Sequence, residues 1–243
     1  MPIIRRNSSH FWELVIFQVE DELFRVPRHQ FTHNPYLPSP LREIFSKPGP
    51  HRTVMFRHSL GDIEELTTTS TGDSELNPVL LEGVDKEDFR RFLDVLYPRF
   101  CPAVPYESLS VHSWLSVVKL STLWNFLPVK ELAIDILDRR EPPDSLSDFD
   151  LIVIAREFGL PTWFQAGCEG IGKDFDADID IETDGVKVGM ETSVKLYQLK
   201  NKTRRVISTG KDRANQNRFL RDAFLSLFGQ EVKELGRGNK GDH

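Results

Sequence analysis

The sequence predicts an α+β protein with a C-terminal helical extension. Three observations predict it. Two short apolar runs flank an acidic turn near the N-terminus, which is a hairpin pattern. Residues 77–99 (NPVLLEGVDKEDFRRFLDVLYPR) carry a buried strand directly into an amphipathic helix. From residue 113 onward, most segments place apolar residues at helical spacing.

The elements follow in order. Phe11, Trp12, Leu14, Val15, Ile16, Phe17 and Val19 read as a strand. Glu20-Asp21-Glu22 is a polar turn, and Leu23-Phe24-Arg25-Val26 returns as a second strand. Pro27 suits the first position of a short helix, with Phe31 as its core contact. Ser39-Pro40 opens another, carrying Leu41, Ile44 and Phe45. Residues 53–56 form a short strand. Residues 61–74 hold little to bury and read as an exposed loop.

At the centre, Val79-Leu80-Leu81 is the strand and Asp85 is the helix cap, because its carboxylate can accept free first-turn N–H groups. Glu87 and Asp88 suit the positive end of the helix dipole. Phe89, Phe92, Leu93, Leu96 and Tyr97 share one face, and Pro98 stops the helix. Ser113 caps a helix bearing Trp114, Val117, Leu120 and Trp124; Pro128 starts the next. Residues 141–144 are a linker. Residues 145–158 are helical and stop at Gly159; a short helix follows at 162–169. Residues 173–189 are acidic and 191–200 helical. Residues 200–213 are basic and expected to be poorly ordered, and 213–235 are helical again. The last residues (GRGNKGDH) read as disordered.

A net charge of -6 argues against a nucleic-acid partner, since phosphate binding needs a positive face. The two cysteines, Cys101 and Cys168, are too few for a disulfide framework or a structural zinc site. The N-terminus lacks the apolar core of a signal peptide, and no apolar run reaches membrane-span length.

Sequence motifs for chemistry are sparse. Residues 180–191 imitate a calcium-binding EF-hand loop through Asp180, Asp184, Gly185 and Glu191. Glu182 replaces the usual third-position ligand, and Lys187 stands where an apolar residue belongs. With no entering helix and no second loop, an acidic solvated loop is the expectation. His29 and His33 are four apart but lack further ligands, so surface histidines are expected. No nucleotide-binding or nucleophile-elbow motif occurs, so no catalytic residue, cofactor or resident metal is assigned. The basic stretch of Lys200, Lys202, Arg204, Arg205, Lys211 and Arg213 reads equally as an anion-binding arm, an import signal or a solvated linker. Phe219, Phe224 and Phe228 form a stripe that either docks on a partner groove or packs on the protein's own core.

The hairpin, V-P-R-H, S-P-L-R-E-I-F, the strand-to-helix unit ending in L-Y, and KLSTLWNFLPVKELAI together resemble the BTB/POZ domain. The likeness is to the type abundant in mushroom-forming fungi. IVIAREFGLPTW and GMETSVKLYQLKNK resemble the continuation in those proteins. The resemblance implies a small three-stranded or larger sheet with a cluster of short helices over residues 10–140. A helical extension is then expected over 145–200, and a basic linker, amphipathic helix and disordered tail over 201–243. It implies a protein–protein interaction adaptor with protein partners: itself as a homodimer, a cullin within a ubiquitin ligase complex, or transcriptional co-regulators. Leu41, Ile44, Phe45, Phe219, Phe224 and Phe228 are its interface candidates, and cytoplasm or nucleus is the implied location.

Overall fold

The structure is a computed structural model and describes residues 7, 12–38, 42, 45, 51–56, 63–70, 72–98, 108–174, 179–180, 182–207 and 213–238. The chain divides into two compact units, Met1–Ala133 and Ile134–His243.

The first unit is built on a five-stranded mixed sheet of order β2-β1-β5-β3-β4. Strands β1 (Leu14–Val19) and β2 (Glu22–Pro27) form the expected antiparallel hairpin. Glu20 turns it in the left-handed region at φ 54. Strands β3 (His51–Phe56) and β4 (Ile63–Ser70) form a second antiparallel pair. Central β5 (Val79–Glu82) runs parallel to both β1 and β3, pairing Phe17 with Val79 and Val54 with Leu81. Parallel neighbours need long crossovers, which is why β5 lies so far from β1 in sequence.

Around the sheet stand α1 (His29–Thr32), α2 (Lys86–Leu96), α3 (Val111–Leu123) and α4 (Leu127–Asp138). Asp85 caps α2 as expected, accepting the Asp88 N–H at 2.9 Å. Phe89 and Phe92 are fully buried. The Phe89 ring meets Phe17, Phe24 and Trp124 at centroid distances of 5.5, 4.9 and 5.7 Å. Aromatic pairs at such spacings add about 0.5–1.5 kcal/mol each beyond area burial.

Three expectations are corrected, and a fourth is met where residues are described. Pro27 closes β2, and α1 begins two residues later. Residues 63–70 are strand β4 at the sheet edge rather than loop, and β-branched threonine favours strand backbone. Ser110, not Ser113, caps α3, its hydroxyl accepting the Ser113 N–H. Of the helix expected after Ser39, Arg42 and Phe45 are helical, while Leu41 and Ile44 lie outside the described residues.

The second unit contains α5 (Asp148–Phe158), α6 (Pro161–Lys173), α7 (Asp184–Val188), α8 (Met190–Ile207) and α9 (Arg213–Gly238). Ser147 caps α5, and Gly159 ends it at φ 70. Gly167 lets α6 approach the start of α5: a Cβ there would lie 2.6 Å from the Asp148 carbonyl oxygen. The Trp163 indole N–H reaches the Leu137 and Arg140 carbonyls.

Two more differences appear here. Residues 200–207 continue α8 instead of being poorly ordered, since lysine and arginine are good helix formers and Thr203 is buried. Helix α9 packs on α6 and α8 within this unit. Residues 236–238 still belong to α9.

Candidate functional sites

In the first unit, a cleft of about 530 Å³ opens where β5 passes into α2. Glu20, Glu82, Asp85 and Lys119 supply its polar lining, and Leu81 and Val84 its apolar lining. The crossover itself makes the cleft, because the chain leaves β5 through Gly83 at φ 76 before Asp85 begins the helix.

Beside it, Asp88 accepts hydrogen bonds from Ser116 at 2.7 Å and Lys119 at 2.9 Å. Arg91 donates to the same Ser116 hydroxyl at 3.0 Å. Burial alone would push the Asp88 carboxyl up; the Lys119 and Ser116 hydrogen bonds and the Lys119 and Arg91 charges outweigh it and hold it below its ordinary value. The cluster joins α2 to α3. Its carboxylate and cations are tied to one another, so what remains for a ligand is the acidic rim of the cleft.

In the second unit, Arg156 is the polar centre. It donates to Glu231 at 2.7 Å, the Val188 carbonyl at 2.8 Å and Thr192 at 2.7 Å. Its guanidinium also lies over the Phe164 ring, 5.3 Å from the centroid. One side chain thus ties α5 to α6, α7, α8 and α9. Cys168 is buried among these helices, and burial pushes its thiol far up, so it lacks the thiolate character of a nucleophile.

A second cleft, about 370 Å³, is lined in part by Asp148, Asp174 and Lys200. Burial, then the Asp174 charge, raises the Asp148 carboxyl above its ordinary value.

The calcium-loop residues do not converge. Asp180 bonds its own turn, accepting the Glu182 N–H and the Thr183 hydroxyl at 2.9 Å each. Asp184 starts helix α7, Glu182 is exposed, and Glu191 pairs with Lys195 at 2.7 Å. Helical backbone across Gly185 replaces the turn that an EF-hand loop needs. His33 bonds the His29 carbonyl through Nδ1 at 2.8 Å. The half-buried His29 ring instead lies 5.5 Å from Trp12. Among the described residues, no group of three or more His, Cys, Asp or Glu side chains could hold a metal.

Of the interface candidates, Leu41 and Ile44 lie outside the described residues, and Phe45, Phe224 and Phe228 are buried within the protein rather than exposed to a partner. Phe45 is buried in the first core, its ring 5.3 Å from Phe31. Phe224 and Phe228 are buried against Phe164 at 6.2 and 5.6 Å, and Phe219 is half-buried. Apolar side chains at helical spacing found their partner inside the protein. The exposed large apolar residues are others, and three of them, Met190, Val194 and Tyr197, lie together on α8. Sequence reasoning missed them because their spacing is also that of a core face.

No protein-family model, curated protein or solved structure matches this chain.

Proposed function

We propose that the first unit is a BTB/POZ-type protein–protein interaction module, through which the chain self-associates and recruits a partner protein. One observation carries the reading: the order of elements around β5. A hairpin is followed by a short helix after V-P-R-H, then by a strand parallel to β1 that feeds a capped helix, then by the α3–α4 pair. The hairpin, the helix after V-P-R-H, the strand-to-helix unit and the helices that follow are parts of the order on which the sequence resemblance rests; most of its second short helix lies outside the described residues. The β3–β4 pair enters between its parts and enlarges the sheet.

The site chemistry supports the same reading. The charged groups beside the first cleft satisfy one another, and the Asp88 network holds two helices together. Function then lies in the surfaces that this scaffold presents to other proteins. The net charge of -6 disfavours nucleic acid as the partner. Among the described residues, no helix is long and apolar enough to cross a membrane. An adaptor of this type works in the cytoplasm or nucleus.

Sedimentation velocity of the full chain at micromolar concentration tests the proposal. A species of at least twice the 28.0 kDa chain mass is expected. A monomer at every concentration refutes self-association. Adding a purified cullin separates the two adaptor roles: a co-sedimenting complex assigns the ubiquitin-ligase role, and its absence leaves co-regulator recruitment.

A further inference from the structure

Strand β2 is an open edge of the first unit's sheet. It pairs with β1 on one side, and among the described residues its other side bonds to no strand. Such an edge presents a row of backbone donors and acceptors that can template another strand, and proteins blunt it with lysines, prolines and bulges. Strand β4, at the opposite edge, pairs with β3 through a register shift between His51 and Thr53. Strand β2 is not blunted in these ways. It has no lysine, its one proline is its last residue, and all six of its pairs with β1 keep an unbroken register. Leu23, 46% exposed, and Arg25, also exposed, share one face of it. Among the described residues, Arg25 forms no salt bridge.

Charge and register select a second copy of the chain as the occupant. The turn residues Glu20 and Asp21 share a single ammonium, that of Lys86, at 3.9 and 2.6 Å, so the turn keeps an acidic surplus. Two β2 strands can pair antiparallel about a two-fold axis at Leu23. Leu23 then faces Leu23 of the second copy, Glu22 faces Phe24, and Arg25 faces Asp21 in the acidic turn. No like charges are opposed, because the order acid–x–Leu–x–Arg over Asp21–Arg25 is its own complement when reversed. The pairing ends with Val26 opposite Glu20, so Pro27, which has no N–H, stays outside it. We infer that the chain self-associates through the edge of β2, two copies pairing about Leu23 into one continuous sheet. An extended segment of another protein would have to supply the pattern that a second copy already carries. The inference rests on the proposed self-association of the first unit and names its surface.

Disulfide trapping and sedimentation velocity of the full chain test it. In a Cys101→Ser background, Leu23→Cys sets two thiols directly opposite each other. Opposed residues of an antiparallel pair have Cα atoms about 4.5–5.5 Å apart, within the roughly 4.4–6.8 Å that a disulfide spans. Mild oxidation should give a covalent dimer on non-reducing gels, and Leu14→Cys, exposed on β1, should give none. Leu23→Lys opposes two ammonium groups at the axis and should raise the dimer dissociation constant about tenfold or more. Arg25→Asp, set against the acidic turn, should do the same. Both positions are exposed, so each variant should keep its circular dichroism spectrum and a cooperative unfolding transition. A dimer that survives Leu23→Lys and Arg25→Asp overturns the β2 interface and leaves self-association to another surface. So does a Leu23→Cys chain that is not trapped, or one trapped no better than Leu14→Cys. A monomer of the unaltered chain at every concentration overturns both the interface and the self-association.

Discussion

Replacing Phe224 by Ala should destabilise the second unit severely, whereas Leu225→Ala, one residue on, should scarcely matter. Phe224 is fully buried, and its ring packs on Phe164 at 6.2 Å and on Phe228 at 5.6 Å. Truncating a buried phenylalanine costs about 3–5 kcal/mol through lost transfer energy and the cavity left behind. Two ring contacts place this site in the upper part of that range, since each adds about 0.5–1.5 kcal/mol beyond area. Leu225 is 46% exposed, and surface changes stay within about 0.5 kcal/mol. Differential scanning calorimetry should show the second unit's transition lowered on the order of 10–20 °C in Phe224→Ala. The first unit's transition should hold, and Leu225→Ala should match the parent. Equal effects of the two substitutions, or none from Phe224→Ala, would refute the packing of α9 on α6 and α8.

Three further outcomes are expected. Leu93→Asp places an unpaired charge in the first core, where Leu93 is buried, so the first unit's cooperative unfolding transition should vanish from calorimetry. Gly167→Ala drives a Cβ to within 2.6 Å of the Asp148 carbonyl oxygen, so urea unfolding should show the second unit weakened by about 1–3 kcal/mol. Asp88 and Asp148 should respond to pH in opposite directions, followed by urea titrations at pH 7, pH 4 and about pH 2. Asp88 is held below its ordinary 3.8, so its contribution is present above that pH and is lost as the pH falls through the lower folded value. Asp148 is raised above 3.8, so its ionisation opposes folding once the pH rises through that range; Asp148→Asn should stabilise at pH 7 and do less at pH 4.

Much of the first unit's framework was legible because its local signals and its packing agree. Asp85 reads as a cap from its neighbours alone, and Phe89, Phe92 and Leu93 reach the core that their spacing predicts. Strand β4 was not legible: Leu66-Thr67-Thr68-Thr69 has no apolar alternation, and only pairing with β3 reveals it. Residues 200–207 looked too basic to be ordered, yet Leu199 and Thr203 anchor that part of α8 from its inner face. The site residues were harder. Periodicity predicts that a face is covered without saying by what, so the Phe224 and Phe228 stripe could be read as docking on a partner or as packing on the protein's own core, and the structure shows the second. Likewise, oxygen-bearing residues at EF-hand spacing become a ligand set only if the backbone turns through them, and here it forms α7.

Strand β5 and helix α2 form the middle of the first unit, with β1 alongside. Native-state hydrogen exchange tests it most directly. Amides of β1, β5 and α2 should be the slowest to exchange in that unit, opening only with its global unfolding. Exchange there as fast as in the turn formed by Ser74–Asn77 would contradict it.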